Sequence, residues 1–477
     1  MRKRIQSIFI ISVFIVGLGF VAAGLLKEDK KQQAYYPRYD SSEMEQERAT
    51  AQGRSEIMKR LYGDINTGEI KFHEINNAYQ ESLSKRKKSG RSIGMNWQSL
   101  GPNNQGGRTR ALIIDKDNNE LLLTGGVSGG IYRSTNGGTR WTKVSNVSGA
   151  VMITSGIQAT NGDMYFGTGS TLGEDFPGTG LYKSTDRGLT WNVVASTVPA
   201  DIINNSQNQA WSYINDLAAD PNNGSTIYAA TNTGLFFTTD GGATWTKPVF
   251  DPPAVNSGDC IDIIFSGDNA RLFVGYRSRF VYSDNPTDGS SYKSSSHSSS
   301  YIRQKIATSA ANPNYVYVAT VNGGSFFGVL ENIYLSKDKG VSFEVLDPPP
   351  PTTSANWDLT GEKRDGTLGG GQGWYDWAFT ADPADENRFF LGAVQLWRYD
   401  GNWTRSSSQS RGYFPYYVHA DVHEIVWDQN NPSTVYFLSD GGVTKSLDRG
   451  VTFFDVNRDY NSTQFYGIAT TPQGYVA

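Results

Sequence analysis

The stretch STDRGLTW at residues 184–191 recurs in five variants along the chain, and this repeat decides the fold. Each copy has Ser or Thr first, Asp or Asn third, Gly fifth and an aromatic residue eighth. The Asp or Asn closes a tight turn through the local backbone, and the Gly adopts a positive φ that other residues resist. The copies are STNGGTRW at 134–141, STDRGLTW at 184–191, TTDGGATW at 238–245, SKDKGVSF at 336–343 and SLDRGVTF at 446–453.

The spacing of these turns predicts the architecture. The first three copies begin 50 and 54 residues apart, and the next gaps of 98 and 110 residues are close to twice that period. We expect a degenerate copy inside each long gap, at YSDNPTDGSSY near Ser283 and LWRYDGNW near Trp397. A hairpin turn repeated at this period is typical of a β-propeller. The sequence predicts seven units over residues 97–456, each with four short strands; in the first unit these are RALIID, LLLTGG, IYRST and RWTKV.

The composition agrees with a turn-rich all-β protein. The chain has 52 Gly, 26 Tyr and 19% charged residues. A formal charge of −4 gives no basic surface for nucleic acid, so no nucleic-acid partner is expected. The one cysteine, Cys260, excludes an internal disulfide and a thiolate metal cluster. We predict no cofactor.

The N-terminus predicts the compartment. Residues 1–26 combine MRKR with an apolar run at 10–26, and VAA at 21–23 favours a secretory signal cleaved after Ala23. The alternative is an uncleaved N-terminal anchor, since residues 5–26 almost suffice to span a bilayer. Either predicts a secreted or cell-surface protein that contacts a membrane only through this segment. Residues 27–95 are predicted to form a polar, partly helical spacer, and residues 96–477 the propeller.

The turn pattern resembles the Asp-box, or bacterial neuraminidase repeat, found in sialidases, xyloglucanases, sortilin-type receptors and photosystem assembly factors. WQSLGPNNQGGRTRA at 97–111, GQGWYDWAFTADP at 371–383 and the stretch at 418–443 resemble large secreted Bacteroidetes proteins labelled glycosyl hydrolase or sortilin-like. The resemblance implies that the box turns are structural and that ligands bind at the opposite face, around the channel mouth. The box residues are Asn136, Asp186, Asp240, Asp338 and Asp448.

Aligned inner strands predict the lining of that mouth. Because side chains alternate along a strand, positions of equal parity share one face. Their leading ends are polar, cationic and aromatic, which suits a ligand-binding mouth. The three arginines among them form either an anion site or a salt-bridged channel wall. The candidate ligand-binding residues are Arg108, Arg110, Tyr213, Arg303, Tyr375, Trp377, His419 and His423.

The stretch HADVH at 419–423 is a possible metal site, because two imidazoles and the Asp421 carboxylate would share one strand face. The alternative is polar packing in the channel. Three long loops at the mouth face, at 167–180, 347–373 and 405–417, add aromatic side chains that sugars or peptides could stack on. These are Trp374, Trp377, Tyr413, Phe414, Tyr416 and Tyr417.

Three functions remain open from the sequence. The first is a propeller that binds polysaccharide or protein without catalysis. The second is a glycoside hydrolase that uses carboxylates at the mouth, with Asp421, Asp440 and Glu174 as candidates. Xyloglucanases carry an Asp before paired glycines in the first unit, where this chain has Val127. The third is a secretion or assembly accessory factor.

The final residues predict an incomplete further blade. NSTQFYGIATTPQGYVA at 461–477 has the pattern of one inner strand and the start of a second, and no further turn signature follows. A strand at 97–100 is expected to close the ring by pairing with the last blade. We therefore expect the chain to be the N-terminal part of a longer protein.

Overall fold

The structure, a computed structural model, describes Glu81, Lys85 and residues 101–463. Within 101–463 the description omits 128, 145–146, 148–150, 170–176, 200–208, 251–255, 296, 298–300, 324–327, 350–358, 362–370 and 408–414. Glu81 and Lys85 are helical and form an i,i+4 ion pair at 2.5 Å. The chain divides into Met1–Ile70 and Lys71–Ala477, and all described residues belong to the second unit.

Seven antiparallel sheets, each built from consecutive strands, form the blades of a β-propeller. The first blade contains β1 (Thr109–Ile114), β2 (Leu122–Gly126), β3 (Gly130–Ser134) and β4 (Thr142–Lys143), and the second contains β5 (Ile153–Gln158), β6 (Met164–Thr168), β7 (Tyr182–Ser184) and β8 (Asn192–Val193). The third blade contains β9 (Ile214–Ala219), β10 (Ile227–Thr231) and β11 (Gly234–Thr238). The fourth contains β12 (Cys260–Phe265), β13 (Leu272–Tyr276), β14 (Phe280–Ser283) and β15 (Lys293–Ser295).

The remaining three blades follow the same order. The fifth blade contains β16 (Tyr301–Thr308), β17 (Val316–Asn322), β18 (Leu330–Ser336) and β19 (Glu344–Leu346). The sixth contains β20 (Ala378–Asp382), β21 (Asp385–Gly392), β22 (Leu396–Asp400) and β23 (Trp403–Arg405). The seventh contains β24 (Val422–Trp427), β25 (Val435–Ser439), β26 (Gly442–Ser446) and β27 (Phe454–Asp455). In blade three an isolated bridge between Phe237 and Thr246 replaces the fourth strand. Two 3₁₀ turns lie at Ala195–Thr197 and Gly289–Ser291. The predicted blades and the strands of the first unit are confirmed, and six of the seven described blades have all four strands.

The core lies between the blades. The described residues form seven apolar clusters, and each combines side chains from two neighbouring blades. One cluster joins Leu122 and Trp141 of the first blade to Leu438 and Val443 of the seventh. Burial of these faces drives ring formation, because a single blade has no partner for its second face.

Residues 456–463 complete the contact between the last and first blades. Tyr460 packs edge-on against Tyr132, and its hydroxyl lies 2.8 Å from that of Thr109. The Ser462 hydroxyl accepts a hydrogen bond from the Gly107 backbone N–H at 2.9 Å. Among the described residues the ring thus closes by packing, without exchange of a strand. The predicted closing strand at 97–100 and the predicted further blade at 464–477 lie outside the described residues.

The five turns share one hydrogen-bond pattern. The first hydroxyl accepts from the Gly N–H four residues later, at 2.8–3.0 Å. One Asp or Asn side-chain oxygen accepts from the N–H four residues further on, at 2.8–2.9 Å. Each fifth-position Gly has a φ between 76° and 98°, which a side chain would strain. The degenerate positions near Ser283 and Trp397 also connect third and fourth strands.

These turns also bind neighbouring blades together. The fourth residue of every turn has a φ between 55° and 70°, and its carbonyl accepts a hydrogen bond from a cation of the preceding blade. The series includes the contact between the seventh and first blades. The donor–acceptor pairs are Lys445 to Gly137, Arg133 to Arg187, Lys183 to Gly241, Arg271 to Lys339 and Arg388 to Arg449.

No helix of the described part of the chain is long and apolar enough to cross a membrane. The apolar run at 10–26 and the spacer predicted at 27–95, apart from Glu81 and Lys85, lie outside that part.

Candidate functional site

We define the mouth face as the face on which the inner strands begin and the second strands end, for example at Thr109 and at Ser439. The opposite face carries the five turns. The turn residues Asn136, Asp186, Asp240, Asp338 and Asp448 therefore lie away from the mouth.

Six of the seven inner strands carry a β-bulge near their start. One residue in each is skipped in the pairing with the second strand. A bulge redirects the side chain of the extra residue and interrupts the alternation of faces. The skipped residues are Arg110, Thr154, Asn215, Ile261, Ile302 and His423.

Five of these bulge residues converge on a cavity of about 30 Å³, lined by six of the seven blades. A cavity needs at least about 10–15 Å³ to hold one water, so this one holds water-sized species and excludes a sugar ring or a peptide. It is lined by Arg110, Thr154, Asn215, Ile261, Arg303, Gln304, Lys305, His423 and Glu424.

Above this cavity lies the aspartate cluster, which consists of Asp440, Arg108, Tyr375 and His423. Arg108 Nε lies 2.9 Å from Asp440 Oδ1, and a second guanidinium nitrogen lies 3.2 Å from Oδ2. The Tyr375 hydroxyl lies 3.0 Å from each oxygen, and His423 Nε2 lies 2.6 Å from Oδ1. Burial opposes ionisation, but His423 and Arg108 hold the pKa of Asp440 well below its usual range. The carboxylate is therefore ionised and saturated with donors.

Tyr375 also connects the two first-blade arginines. The guanidinium carbons of Arg108 and Arg110 lie 4.8 Å and 5.4 Å from its ring centroid, which is cation–π geometry. Burial lowers the pKa of Arg110 to about 10. Arg303 donates instead to the carbonyls of Gly373 and Trp377, at 3.3 Å and 3.5 Å. Arg108 thus belongs to a salt-bridged wall, one of the two alternatives raised by the sequence.

Deeper along the axis lies the lysine cluster, which consists of Lys305, Asp216, Asp262 and Glu424. The Lys305 ammonium lies 2.8 Å from Asp262, 2.9 Å from Glu424 and 3.8 Å from Asp216. Burial opposes the charge, but the carboxylates raise the pKa of Lys305 well above its usual value. Burial and the neighbouring carboxylates raise the pKa of Asp216. Four blades therefore meet in one buried ion network.

The structure does not bring His419, Asp421 and His423 together as a metal site. Asp421 has a φ of 63°, so it lies outside the strand alternation on which the prediction relied. His423 turns onto Asp440, and His419 Nδ1 lies 2.9 Å from the Ala420 carbonyl. No group of three His, Cys, Asp or Glu within the described ranges is arranged to hold a metal ion.

A further pair of carboxyls lies at the mouth. Asp376 is fully buried, and burial together with repulsion from Asp421 raises its pKa well above the usual value. The neutral form of the Asp376 carboxyl is therefore favoured. Sequence reasoning missed it because it lies one residue away from the equal-parity positions Tyr375 and Trp377.

The other predicted residues separate into three groups. Tyr213 and Trp377 are buried core side chains, at 1% and 0% exposure. Glu174, Tyr413 and Phe414 lie outside the described residues. Tyr416 is 54% exposed. The carbonyl of the preceding residue, Pro415, accepts a hydrogen bond from the N–H of Phe453, which is the eighth residue of the seventh-blade turn. Tyr416 thus lies near the turn face, contrary to its predicted place at the mouth.

Sequence reasoning also missed the four remaining charged or amide residues of the channel. Asp216, Asp262, Gln304 and Glu424 each adjoin a predicted or bulge position but have the opposite parity. They could have been recognised in the sequence as polar residues within inner strands that are otherwise apolar.

Comparisons with known proteins support the fold. No protein-family model matches the chain, and no curated protein sequence matches it. An ancestral GH74 enzyme aligns with a TM-score of 0.54 at 16% identity, over 76% of this chain and 48% of that one. A GH74 enzyme of Niastella koreensis aligns with a TM-score of 0.46 at 19% identity, over 77% and 61%. YCF48 bound to D1 peptide aligns with a TM-score of 0.46 at 14% identity, over 74% and 99%.

This chain thus spans about half to three fifths of the two GH74 structures. The likeness to the ancestral enzyme shows a β-propeller fold.

Proposed function

We propose that this chain is an extracellular β-propeller that binds a polysaccharide or a protein over its mouth face without catalysing a reaction. The saturation of Asp440 by Arg108, Tyr375 and His423 carries this proposal. A general acid or base must exchange a proton with the substrate, and a carboxylate bound to three donors with a strongly lowered pKa is unsuited to that task. The water-sized cavity beneath it leaves the surface of the mouth face for a ligand.

Three side chains offer contacts there. Arg108 and Asp440 are 13% and 21% exposed and present a charged pair to solvent. Trp374, half-buried beside Tyr375 with ring centroids 5.7 Å apart, offers an aromatic surface. Sugars and peptides both use such a combination of stacking and polar contacts. In two compared structures the propeller belongs to a GH74 enzyme, and in another a propeller is bound to a peptide.

The five turns support the finer assignment of Asp-box repeats, and residues 1–26 support secretion or anchoring at the cell surface. A role as a secretion or assembly accessory factor would use the same mouth face for a protein ligand.

The second candidate is a glycoside hydrolase, which is favoured by the proximity of Asp421 and Asp376. Two neighbouring carboxyls, one with a raised pKa, can supply the acid and base of hydrolysis. Asp376 is 0% exposed, so Asp421, which is half-buried, is the carboxyl of this pair that a substrate could contact.

The test is a retention screen of the purified chain against plant, algal and host glycans and secreted proteins, with reducing ends measured in parallel. We expect retention without new reducing ends. Trp374→Ala should weaken retention, whereas Tyr416→Ala, which removes an exposed aromatic far from the mouth, should not. Release of reducing ends that is lost in Asp421→Asn would establish the hydrolase instead.

A further inference from the structure

We propose that the axial cavity is a binding site for one monatomic anion, chloride under ordinary conditions, held between Arg303 and Arg110. This site is independent of ligand binding at the mouth face. It depends on three observations: the charges that line the cavity, the partners those charges have, and the size of the cavity.

Cations dominate one side of the cavity. Arg110, Arg303 and Lys305 all line it, and they reach it from the first and fifth blades. Lys305 is compensated by the carboxylates of the lysine cluster. Arg108, just above, is compensated by Asp440. The carboxylates of the lysine cluster and of Asp440 therefore already form ion pairs with other cations.

Arg303 differs from both. Its side chain is buried, at 7% exposure, and its hydrogen bonds go to two carbonyls at 3.3 Å and 3.5 Å. Among the described residues no carboxylate forms an ion pair with it. Burial and repulsion from Arg110 lower the pKa of Arg303 to about 9, and the more distant carboxylates of Asp376, Asp262 and Glu424 only partly offset these two effects. A buried cation without a directly paired counter-charge is unfavourable, and a bound anion reduces that cost.

The volume selects the kind of anion. About 30 Å³ holds one or two water-sized species. Chloride and bromide are of that size, whereas sulfate, phosphate and carboxylates with their substituents are larger. The cavity therefore suits a halide better than an oxyanion or a carboxylate ligand with its substituents.

Two further polar atoms of the cavity indicate that a water molecule binds beside the halide. Gln304 Oε1 and His423 Nδ1 are buried and have no hydrogen-bond partner in the structure. Because His423 donates through Nε2 to Asp440, its Nδ1 accepts. Both atoms need a donor, which a halide cannot supply. A water molecule beside the halide would donate to one or both.

The experiment uses the whole chain in two independent measurements. The first is the thermal unfolding midpoint at fixed ionic strength in sodium gluconate, chloride, bromide or sulfate. Binding to the native state raises the midpoint with a saturable dependence on ligand concentration. We expect a saturable rise of a few degrees in chloride and bromide, and only a gradual, unsaturated change in sulfate.

The matched variants are Arg303→Gln and Arg405→Gln. Arg405 is exposed on β23, so its loss removes one charge without touching the cavity. We expect Arg405→Gln to keep the saturable chloride dependence and Arg303→Gln to lose it. A chloride dependence that persists in folded Arg303→Gln would overturn the site.

The second measurement stays informative even if Arg303→Gln does not fold. Crystals of the wild-type chain grown in bromide should show an anomalous peak in the cavity, within contact distance of the Arg303 and Arg110 guanidinium groups. A cavity that contains only water, with no anomalous peak and no halide dependence of the midpoint, would refute the proposal.

Discussion

The Nε2 atom of His423 lies 2.6 Å from Oδ1 of Asp440, and this contact joins the inner strand of the seventh blade to the loop after its second strand. Because Asp440 is ionised, Nε2 carries the proton and donates it. Burial is the main cause that lowers the pKa of His423, to about 3, and repulsion from the two first-blade arginines adds to it. The native form at neutral pH is therefore the neutral Nε2–H tautomer.

This low pKa predicts an acid-dependent loss of stability. In the unfolded chain His423 titrates near its ordinary value of about 6.5, whereas the folded protein binds that proton only near pH 3. The unfolded state thus gains a proton first as the pH falls, and stability declines between about pH 6.5 and 3. Urea unfolding of wild type and His423→Gln from pH 7.5 to 4 should show a shallower decline in the variant. His419→Gln is the control and should keep the wild-type slope; equal slopes in all three proteins would contradict the assignment.

Removal of the Asp440 charge should destabilise the propeller. Asp440→Asn leaves Arg108 without its carboxylate and weakens the hydrogen bonds from Tyr375 and His423. We expect a loss of about 2 kcal/mol in the free energy of unfolding, less than for a fully buried pair because both side chains are partly exposed. Asp117→Asn, which breaks an exposed pair with Lys116, should cost under about 0.5 kcal/mol by the same urea titration. A loss no larger than that of the control would show that the aspartate cluster does not stabilise the ring.

The lysine cluster should be more sensitive. Lys305→Met leaves Asp262 and Glu424 close together in the channel without a cation, and breaking such a buried network costs about 3–5 kcal/mol. Chemical unfolding of the double variant Lys305→Met/Asp262→Asn should show a smaller loss, because one of the two uncompensated charges is removed. Lys337→Met, which breaks an exposed pair with Glu344, is the control. If the double variant is less stable than the single one, the charge argument is wrong.

The turns offer a test with a substitution that the chain itself contains. In Ser446→Ala the Gly450 N–H loses its acceptor at 2.8 Å, and we expect a loss of about 1–2 kcal/mol. Ser446→Thr should restore most of it, because Thr238 accepts from the Gly242 N–H in the same way at 3.0 Å. Thermal unfolding of the two variants decides the point; equal midpoints for Ala and Thr would show that the hydroxyl does not stabilise the turn.

Local patterns in the sequence predicted the scaffold because the forces that produce it act within a few residues. The Ser, Asp and Gly of such a turn form hydrogen bonds with residues two to four positions away, so the turn can be recognised in the sequence. The period of about 50 residues then predicts the number of blades. The structure pairs Arg108 with Asp440, a partner that the sequence could not identify because it lies 332 positions away.

The possible metal site at 419–423 depended on an assumption that the structure does not meet. The prediction assumed an unbroken alternation from His419 to His423, whereas Asp421 has a left-handed backbone and His423 is a bulge residue. Both features depend on how the strand enters the blade. The prediction that Tyr416 lies at the mouth also differs from the structure, because the backbone of the preceding residue, Pro415, contacts the seventh-blade turn at Phe453.

The sequence by itself determined seven four-stranded blades and the turns that join their outer strands, because these follow from local hydrogen bonding and a repeated apolar pattern. Only the tertiary structure decided the centre of the molecule. Arg108 and Asp440 are 332 positions apart, and Lys305 meets carboxylates from three other blades. Ring closure brings these groups together, and six bulges turn one side chain each out of register. The chemistry of the channel thus depends on long-range packing, which no local pattern encodes.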